Sequence, residues 1–352
     1  MSSPRLSVLA SPSDTGAGGN PYIDLLYGGL REQGVEVRSF DRRGLLGRPD
    51  VVHVHWPSAL VRWDSGPQAA ADVVKVLGGL LVARLRGSRL VWTGHDLAPH
   101  EMARPRLHAF YFRCFLQLVD LWISLTPEAA RLLVQRYPRL RRKPMRVVAH
   151  GTYGDSYGTK PSRDEADRRL GVHGAAGMRF LLLGQLRPYK NAESLIGDFL
   201  RLAGPEDRLL VAGEVRGDTG LADRLRSAAG GDRRVVLRLG RVPEDEVALW
   251  HASADVVVLP YDTRSALNSG AVMLALALTT PVVAVDSTIN RELQRRVGER
   301  WVRLFSGGTE QALEVARRLA GEIPSGGPDL SEFAWEGVVS GTLDAYRSVA
   351  VR

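Results

Sequence analysis

Short apolar segments alternate with longer segments of helical periodicity along the whole chain, a pattern typical of a parallel sheet with crossover helices. In the first half a helix is predicted over residues 22–33, where Gly34 ends the helical pattern. Strands are predicted over residues 6–10, 35–40, 51–55, 90–93, 121–125 and 145–150.

The same pattern restarts after residues 151–163, a segment rich in Gly, Ser and Tyr that carries no period and is interpreted as a linker. Strands are predicted over residues 180–184, 208–212, 235–239, 255–259, 282–285 and 301–305. Helices are predicted over residues 191–202, 271–278, 313–320 and 333–349. The sequence therefore predicts two α/β domains of Rossmann type, which would bind ligands beyond the carboxyl ends of their strands.

Length and composition agree with two globular domains, since the chain has 352 residues of which 44% are hydrophobic. No apolar stretch reaches the roughly 18 to 20 residues that span a bilayer. The first ten residues lack the apolar core and cleavage site of a signal peptide, so we expect a cytoplasmic protein. Cys114 is the single cysteine, which excludes an internal disulfide and a cysteine metal cluster.

The formal net charge is +8, and only four of the 47 basic residues are lysines. Such a surface attracts anions such as phosphates and acidic lipids. Nucleic acid is not expected as a partner, because the basic residues are spread along the chain and no nucleic-acid-binding motif is present. Residues 104–118 and 131–146 mix Arg with aromatic and aliphatic residues, as a peripheral membrane contact would, although ordinary amphipathic helices are the simpler interpretation.

Two loops join a strand to a helix N-terminus, where free backbone N–H groups can hold a phosphate. The first contains Gly18 and Gly19, but it lacks the full dinucleotide-binding fingerprint and could be a plain turn. The second contains Arg187 and Lys190. They could form a solvated basic loop, but a cation at a helix N-terminus opposes the helix dipole and so needs another reason to be there. A diphosphate site is therefore the favoured interpretation.

A third helix start follows Asn268, Ser269 and Gly270. These residue types are ordinary helix caps, and the N–H groups that they cap can also bind a phosphate.

Histidines are concentrated at or near the predicted strand ends of the first half, where they could donate hydrogen bonds or accept protons. They are His53, His55, His95, His100 and His150. Their spacing is not that of metal ligands, so no metal site is predicted.

The second half resembles the nucleotide-sugar domain of GT-B glycosyltransferases, particularly family 4. The resemblance rests on Gly184 to Asn191, Leu209 to Glu214, Val236 to Pro260, Thr280 to Ala284 and Phe333 to Tyr346. The first half resembles a bacterial subgroup that assembles polysaccharides or glycoconjugates. That likeness rests on Asn20 to Leu30, His55 to Pro57, Trp92 to Glu101 and Val148 to Gly151.

The resemblance implies a GT-B fold, with two Rossmann-like domains facing each other across a cleft. The domains would span residues 1–158 and 159–330, and a C-terminal helix within 331–352 would cross back to the first. It implies transfer of a hexose-type sugar from a nucleotide-diphosphate sugar, with UDP or GDP as the nucleotide and no separate cofactor. The acceptor would be a glycan, a glycolipid or a small molecule.

Residue roles follow from the same resemblance. Arg187 and Lys190 would neutralise the diphosphate, with help from the N–H groups of Ser269 and Gly270. Glu292 would contact the ribose, and His95 would contact the transferred sugar. If the enzyme inverts the anomeric centre, it needs a base on the acceptor side. Asp96, His100 and Glu101 are the candidates, and no feature of the sequence chooses among them.

The chain departs from the family pattern in two places. Gln185 stands where family 4 usually has Arg, and Ala266 and Leu274 stand where it usually has two glutamates. Retaining stereochemistry is therefore not carried over. Two alternatives stay open: a GT-B relative with another activity, such as epimerisation or phosphorolysis, and a non-catalytic protein that binds sugar nucleotides or serves as a partner subunit.

Overall fold

A computed structural model describes residues 6–14, 21–98, 104–172, 176–261, 267–320 and 326–350. The chain divides into two compact units. The first comprises residues 1–151, 265–268 and 331–352, and the second comprises residues 152–264 and 269–330. Within the described ranges, no helix combines the length and the apolar character that crossing a membrane requires.

The first unit is built on a six-stranded sheet whose strand order is β2-β1-β3-β4-β5-β6, with parallel pairing throughout. Its strands are β1 (Ser7–Ser11), β2 (Glu36–Ser39), β3 (Val51–Val54), β4 (Arg89–Gly94), β5 (Leu121–Ser124) and β6 (Met145–Val147). The α-helices of this unit that precede residue 152 are α1 (Pro21–Glu32), α2 (Arg42–Leu46), α3 (Gly66–Leu85), α4 (Pro105–Leu118) and α5 (Pro127–Arg136).

The second unit repeats this architecture, with the parallel strand order β12-β11-β10-β7-β8-β9. Its strands are β7 (Arg179–Leu183), β8 (Arg208–Gly213), β9 (Val235–Leu239), β10 (Val256–Leu259), β11 (Val282–Val285) and β12 (Val302–Phe305). Its helices are α6 (Arg163–Leu170), α7 (Ala192–Leu202), α8 (Leu221–Ala229), α9 (Glu244–Ala252), α10 (Gly270–Ala277), α11 (Thr288–Val297) and α12 (Thr309–Ala320).

Burial follows the position of each strand in its sheet. The central strands β3, β7, β8 and β10 are buried at every residue, whereas the edge strands β2, β6 and β9 are largely exposed or half-buried. A parallel sheet covered by helices on both faces leaves only its edges to solvent, so the uninterrupted apolar runs of the sequence mark the centre of each sheet.

The last helix, α13 (Trp335–Val349), belongs to the first unit and packs against α1. Close approach depends on glycines, because a Cβ on Gly29 would lie 2.5 Å from a methyl carbon of Val339. A side chain on Gly151 would overlap the indole ring of Trp335. The C-terminal helix is therefore fitted against both α1 and the chain that follows β6.

Every strand predicted from the sequence is confirmed, with ends that shift by no more than three residues. The predicted helix at 22–33 is α1, and those at 191–202, 271–278, 313–320 and 333–349 are α7, α10, α12 and α13. The segment interpreted as a linker contains a short 3-10 helix, Gly154–Ser156. Cys114 is half-buried.

Gly213 tests the packing at the carboxyl ends of β7 and β8. Its φ is +151°, and a Cβ there would overlap the backbone carbonyl of Gly184. We expect Gly213→Ala to lower the free energy of unfolding by roughly 3 kcal/mol, because two backbone segments would have to separate. Urea unfolding monitored by circular dichroism measures the change. Gly240→Ala is the matched control, since nothing lies within 4 Å of its Cβ; equal losses in the two variants would contradict this account.

Candidate functional site

The carboxyl edge of the first sheet gathers polar side chains from two neighbouring strands. His53 lies on β3 and Thr93 on β4, and His55 and His95 each follow the end of one of these strands. All four are buried, with exposed fractions between 0% and 5%. His53, His55 and His95 thus lie at strand ends, as expected, and all three are buried inside the unit.

Hydrogen bonds join these side chains to two tyrosines. The hydroxyl of Tyr27 on α1 lies 2.8 Å from Nε2 of His55, and Nδ1 of His55 lies 2.9 Å from Nε2 of His95. The hydroxyl of Tyr346 on α13 lies 2.6 Å from Nδ1 of His53. We call this the histidine–tyrosine network; its members are Tyr27, His53, His55, Thr93, His95 and Tyr346.

Burial keeps the imidazoles of this network neutral. It lowers the pKa of His53 to about 3, and it lowers the pKa values of His55 and His95 well below their ordinary value, with neighbouring histidines adding to the effect. A neutral imidazole has one donor and one acceptor nitrogen, so each hydrogen bond fixes the direction of the next.

Two proton arrangements satisfy the path from Tyr27 to His95. If Tyr27 donates to Nε2 of His55, then Nδ1–H of His55 donates to Nε2 of His95, and Nδ1 of His95 carries a proton. If the path runs the other way, Nδ1 of His95 is an acceptor. The network therefore decides whether His95 offers a donor or an acceptor to a ligand.

Aromatic rings surround His95 and leave a small cavity beside it. The ring of Trp56 stacks on His95 with centroids 4.6 Å apart, and Tyr22 meets it edge-on at 5.3 Å. The cavity has a volume of about 80 Å³, and its lining includes Trp56, His95 and Asp96. His150 packs against Tyr22 at 4.7 Å and donates from Nδ1 to the carbonyl of Gly151.

In the second unit, the loop after β7 carries a buried cation. Lys190 is 8% exposed, and its Nζ lies 4.5 Å from the ring centroid of Tyr261, which follows β10. Burial, and then the charge of Arg187, lower the pKa of Lys190 to about 8. No carboxylate among the described residues forms an ion pair or hydrogen bond with Nζ. A buried charge without a counter-ion is costly, which is why such a position suits an anionic ligand.

The backbone around Lys190 is fixed by residues with left-handed conformations. Gly184 has a φ of +120°, and a Cβ on it would sit 3.6 Å from Nζ of Lys190. Asn191 has a φ of 54°, and its side-chain amide donates to the carbonyl of Pro260 at 2.7 Å. The ends of the neighbouring strands β7 and β10 are thereby tied together around the lysine.

The remaining donor-side candidates lie near the starts of two helices. Ser269 caps α10, since its hydroxyl accepts from the backbone N–H of Val272 at 3.3 Å. Gly270 begins that helix, where a Cβ would lie 3.1 Å from the hydroxyl of Tyr153. Glu292 on α11 is buried, with 8% of its surface exposed.

Within the described ranges, the candidate residues fall in both units. His95, Asp96 and Asn268 belong to the first unit, and Arg187, Lys190, Ser269, Gly270 and Glu292 belong to the second. Gly18, Gly19, His100 and Glu101 lie outside the described residues. The side-chain nitrogen of Asn268 is buried without a hydrogen-bond partner in the described part of the chain. No group of three His, Cys, Asp or Glu among those residues could hold a metal ion.

Sequence reasoning missed the tyrosines and the threonine of the network. Tyr22, Ile23, Leu26, Tyr27 and Leu30 form the buried face of α1. A tyrosine on such a face must find a partner for its hydroxyl, and that requirement was the available signal. It could not have shown that the partners are histidines from β3 and its following loop.

Comparison with known proteins adds three findings. The family model described as "Glycosyl transferases group 1" matches residues 177–316. A GDP-mannose:glycolipid 4-beta-D-mannosyltransferase of Xanthomonas campestris pv. campestris is 32% identical over 337 residues, which cover 94% of this chain and 89% of that protein.

Solved structures are similar in fold. Sucrose-phosphate synthase from Thermosynechococcus elongatus superposes with a TM-score of 0.67 and 16% identity, over 98% of this chain and 99% of the other. The HepE protein of Anabaena in complex with UDP and glucose superposes with a TM-score of 0.62 and 16% identity, over 97% of this chain and 95% of the other. At such identities the likeness shows the fold alone.

The buried histidines predict a loss of stability in acid. Histidine in an unfolded chain has a pKa of about 6.5. In the folded protein the pKa of His53 is about 3 and that of His150 is about 4. Below pH 6.5 these two histidines therefore become protonated in the unfolded chain while they stay neutral in the folded one. The contribution of these histidines to the free energy of unfolding is fully present above pH 6.5. As the pH falls below 6.5, it decreases by about 1.4 kcal/mol per pH unit for each such histidine, until the pKa of the folded state is reached.

Urea unfolding at pH 7.5, 6.5 and 5.5, followed by tryptophan fluorescence, measures this loss. Most carboxylates stay ionised throughout that range, so they change the result little. An unfolding midpoint that is unchanged between pH 6.5 and 5.5 would contradict the neutral network.

Proposed function

This chain belongs to the glycosyl transferase group 1 family, and from that premise we propose that it transfers mannose from GDP-mannose to a glycolipid with formation of a β-linkage. The family and the GT-B fold class predicted from the sequence are confirmed. The chain is a nucleotide-sugar-dependent glycosyltransferase. The choice of GDP-mannose and of a glycolipid is supported by the activity of the Xanthomonas relative.

The observation that carries the donor assignment is the buried charge of Lys190. Its ammonium is buried in the loop after β7, where the charge of Arg187 acts on it and no carboxylate among the described residues pairs with it. A diphosphate bound there would offset the cost of burying this charge. The lysine would stabilise the diphosphate further during the reaction, because negative charge develops on it as it leaves the sugar. We assign Ser269, Gly270 and Glu292 to the same donor, with Glu292 at the ribose.

The proposed reaction inverts the anomeric centre. An α-configured sugar nucleotide gives a β-linked product only by inversion, and the position of one glutamate usual in family 4 is occupied by Leu274 on α10. Inversion needs a base that removes the proton of the acceptor hydroxyl. We assign this role to Asp96, which is the one base candidate among the described residues and which lines the cavity beside His95. His95 then serves as a hydrogen-bonding partner of the sugar.

Calorimetric titration tests the donor site. We expect GDP to bind more tightly than UDP, ADP or dTDP, and we expect Lys190→Ala to weaken GDP at least about tenfold because a charge-assisted contact is lost. Affinity should also fall as the pH rises above about 8, where Lys190 loses its proton. Lys75→Ala, on α3 of the first unit, is the matched control. Unchanged GDP affinity in Lys190→Ala would overturn the site.

Product analysis tests the stereochemistry and the base. With GDP-mannose and a lipid-linked glycan, the new linkage should be β by proton NMR. Asp96→Asn should lower kcat by roughly 100-fold or more, because general-base catalysis is lost, while GDP affinity stays the same. An α-linked product would show retention and would remove the need for Asp96.

A further inference from the structure

A larger cavity lies beside the one at His95, entirely within the first unit. It has a volume of about 470 Å³, within the usual range for ligand pockets, and it lies between α4 and the turn that follows α5. Ala109, Phe112 and Leu116 on α4 supply apolar lining. The two cavities share Ala98, Phe112 and Tyr137, so they are neighbours.

Three arginines line the same cavity: Arg113 on α4, Arg136 at the end of α5 and Arg139 in the following 3-10 helix. All three are exposed, no Asp or Glu is among the lining residues, and none of the three has an ion-pair partner in the described part of the chain.

Arginines nearby are neutralised, in contrast. Arg131 on α5 pairs with Glu128 at 2.7 Å, and Arg84 on α3 pairs with Asp120 at 2.6 Å. The cavity thus combines an apolar wall with guanidinium groups that no described carboxylate neutralises. Guanidinium groups form paired hydrogen bonds with phosphate oxygens. The apolar wall favours a hydrocarbon ligand over a polar sugar, because burial of apolar surface is what stabilises binding there.

We propose that this cavity binds the lipid end of the acceptor, with its phosphate group at Arg113, Arg136 and Arg139 and the first part of its hydrocarbon chain along Phe112 and Leu116. This inference rests on the proposed glycolipid acceptor. Continuity with the smaller cavity places the acceptor's other end toward Asp96. The arginines hold the lipid phosphate and take no part in bond making.

Binding to the full-length protein tests this directly, without any transfer reaction. The probe is farnesyl diphosphate below its micellar concentration, compared by calorimetry with inorganic pyrophosphate and farnesol. We expect farnesyl diphosphate to bind at least about tenfold more tightly than either, since only it satisfies both the charge and the apolar wall. Pyrophosphate binding equally well would reduce the site to a free-anion site and overturn the proposal.

Variants locate the site. Arg136→Ala and Arg139→Ala should each weaken farnesyl diphosphate roughly tenfold, because each loses a charge-assisted contact. Ala109→Trp should abolish binding by filling the cavity. Arg106→Ala is the matched control: the residue is exposed on the same helix and does not line the cavity. An unchanged urea unfolding midpoint, followed by circular dichroism, shows that each variant is folded. Equal losses in Arg106→Ala would show a diffuse charge effect and overturn the proposal.

Two further outcomes separate this inference from the proposed function. If phosphatidylglycerol vesicles displace farnesyl diphosphate as effectively as unlabelled farnesyl diphosphate does, the cavity belongs to a general membrane face and the inference fails. If farnesyl diphosphate binds through the arginines while GDP does not bind, the donor assignment fails and the lipid site stands.

Discussion

Parallel strand pairing is the constraint on which the rest of this structure depends. In each sheet all strands run the same way, so their carboxyl ends share one edge and the loops that follow them lie side by side. His55 and His95 meet because β3 and β4 are neighbours, and Lys190 meets Tyr261 because β7 and β10 are neighbours. Residues separated by 40 positions or more along the chain become partners without any special folding of the loops.

The carboxyl edges of the two sheets bury different kinds of polar group, neutral in the first unit and charged in the second. The first unit buries imidazoles and phenols that stay neutral and satisfy one another, which fixes ring orientations at little electrostatic cost. The second unit buries the charge of Lys190 against the ring of Tyr261, and no carboxylate among the residues that the structure describes pairs with it. A satisfied network suits the placing of a neutral sugar, and an unsatisfied charge suits a diphosphate. This division agrees with the acceptor-side and donor-side roles proposed for the two units.

Much of the fold could be predicted from the sequence because central parallel strands are unbroken apolar runs, as in Val256–Leu259 and Val282–Val285. The loop with Lys190 could be predicted for the same reason, since a strand end fixes its place. Helix α3 was not predicted, because its apolar residues lie all round and Val74 and Leu85 are exposed. The partners of His53 could not be predicted either, because Tyr346 is 293 positions away and reaches it only through the docking of α13 on α1.

The scarcity of lysine gives this chain an unusual chemical selectivity. Of its four lysines, Lys160 and Lys190 have pKa values lowered by burial to about 8, so roughly a tenth of each amine is an unprotonated nucleophile at pH 7. An ordinary surface lysine, with a pKa of about 10.4, is almost entirely protonated there. An aldehyde-bearing nucleotide analogue would form an imine faster with these two amines than with an ordinary surface lysine, and Lys190 has the anion-attracting surroundings that bring such a reagent to it. The lowered pKa of Lys190, at the site proposed for a diphosphate, thus also makes this lysine open to covalent labelling in a protein whose other cations are almost all arginine.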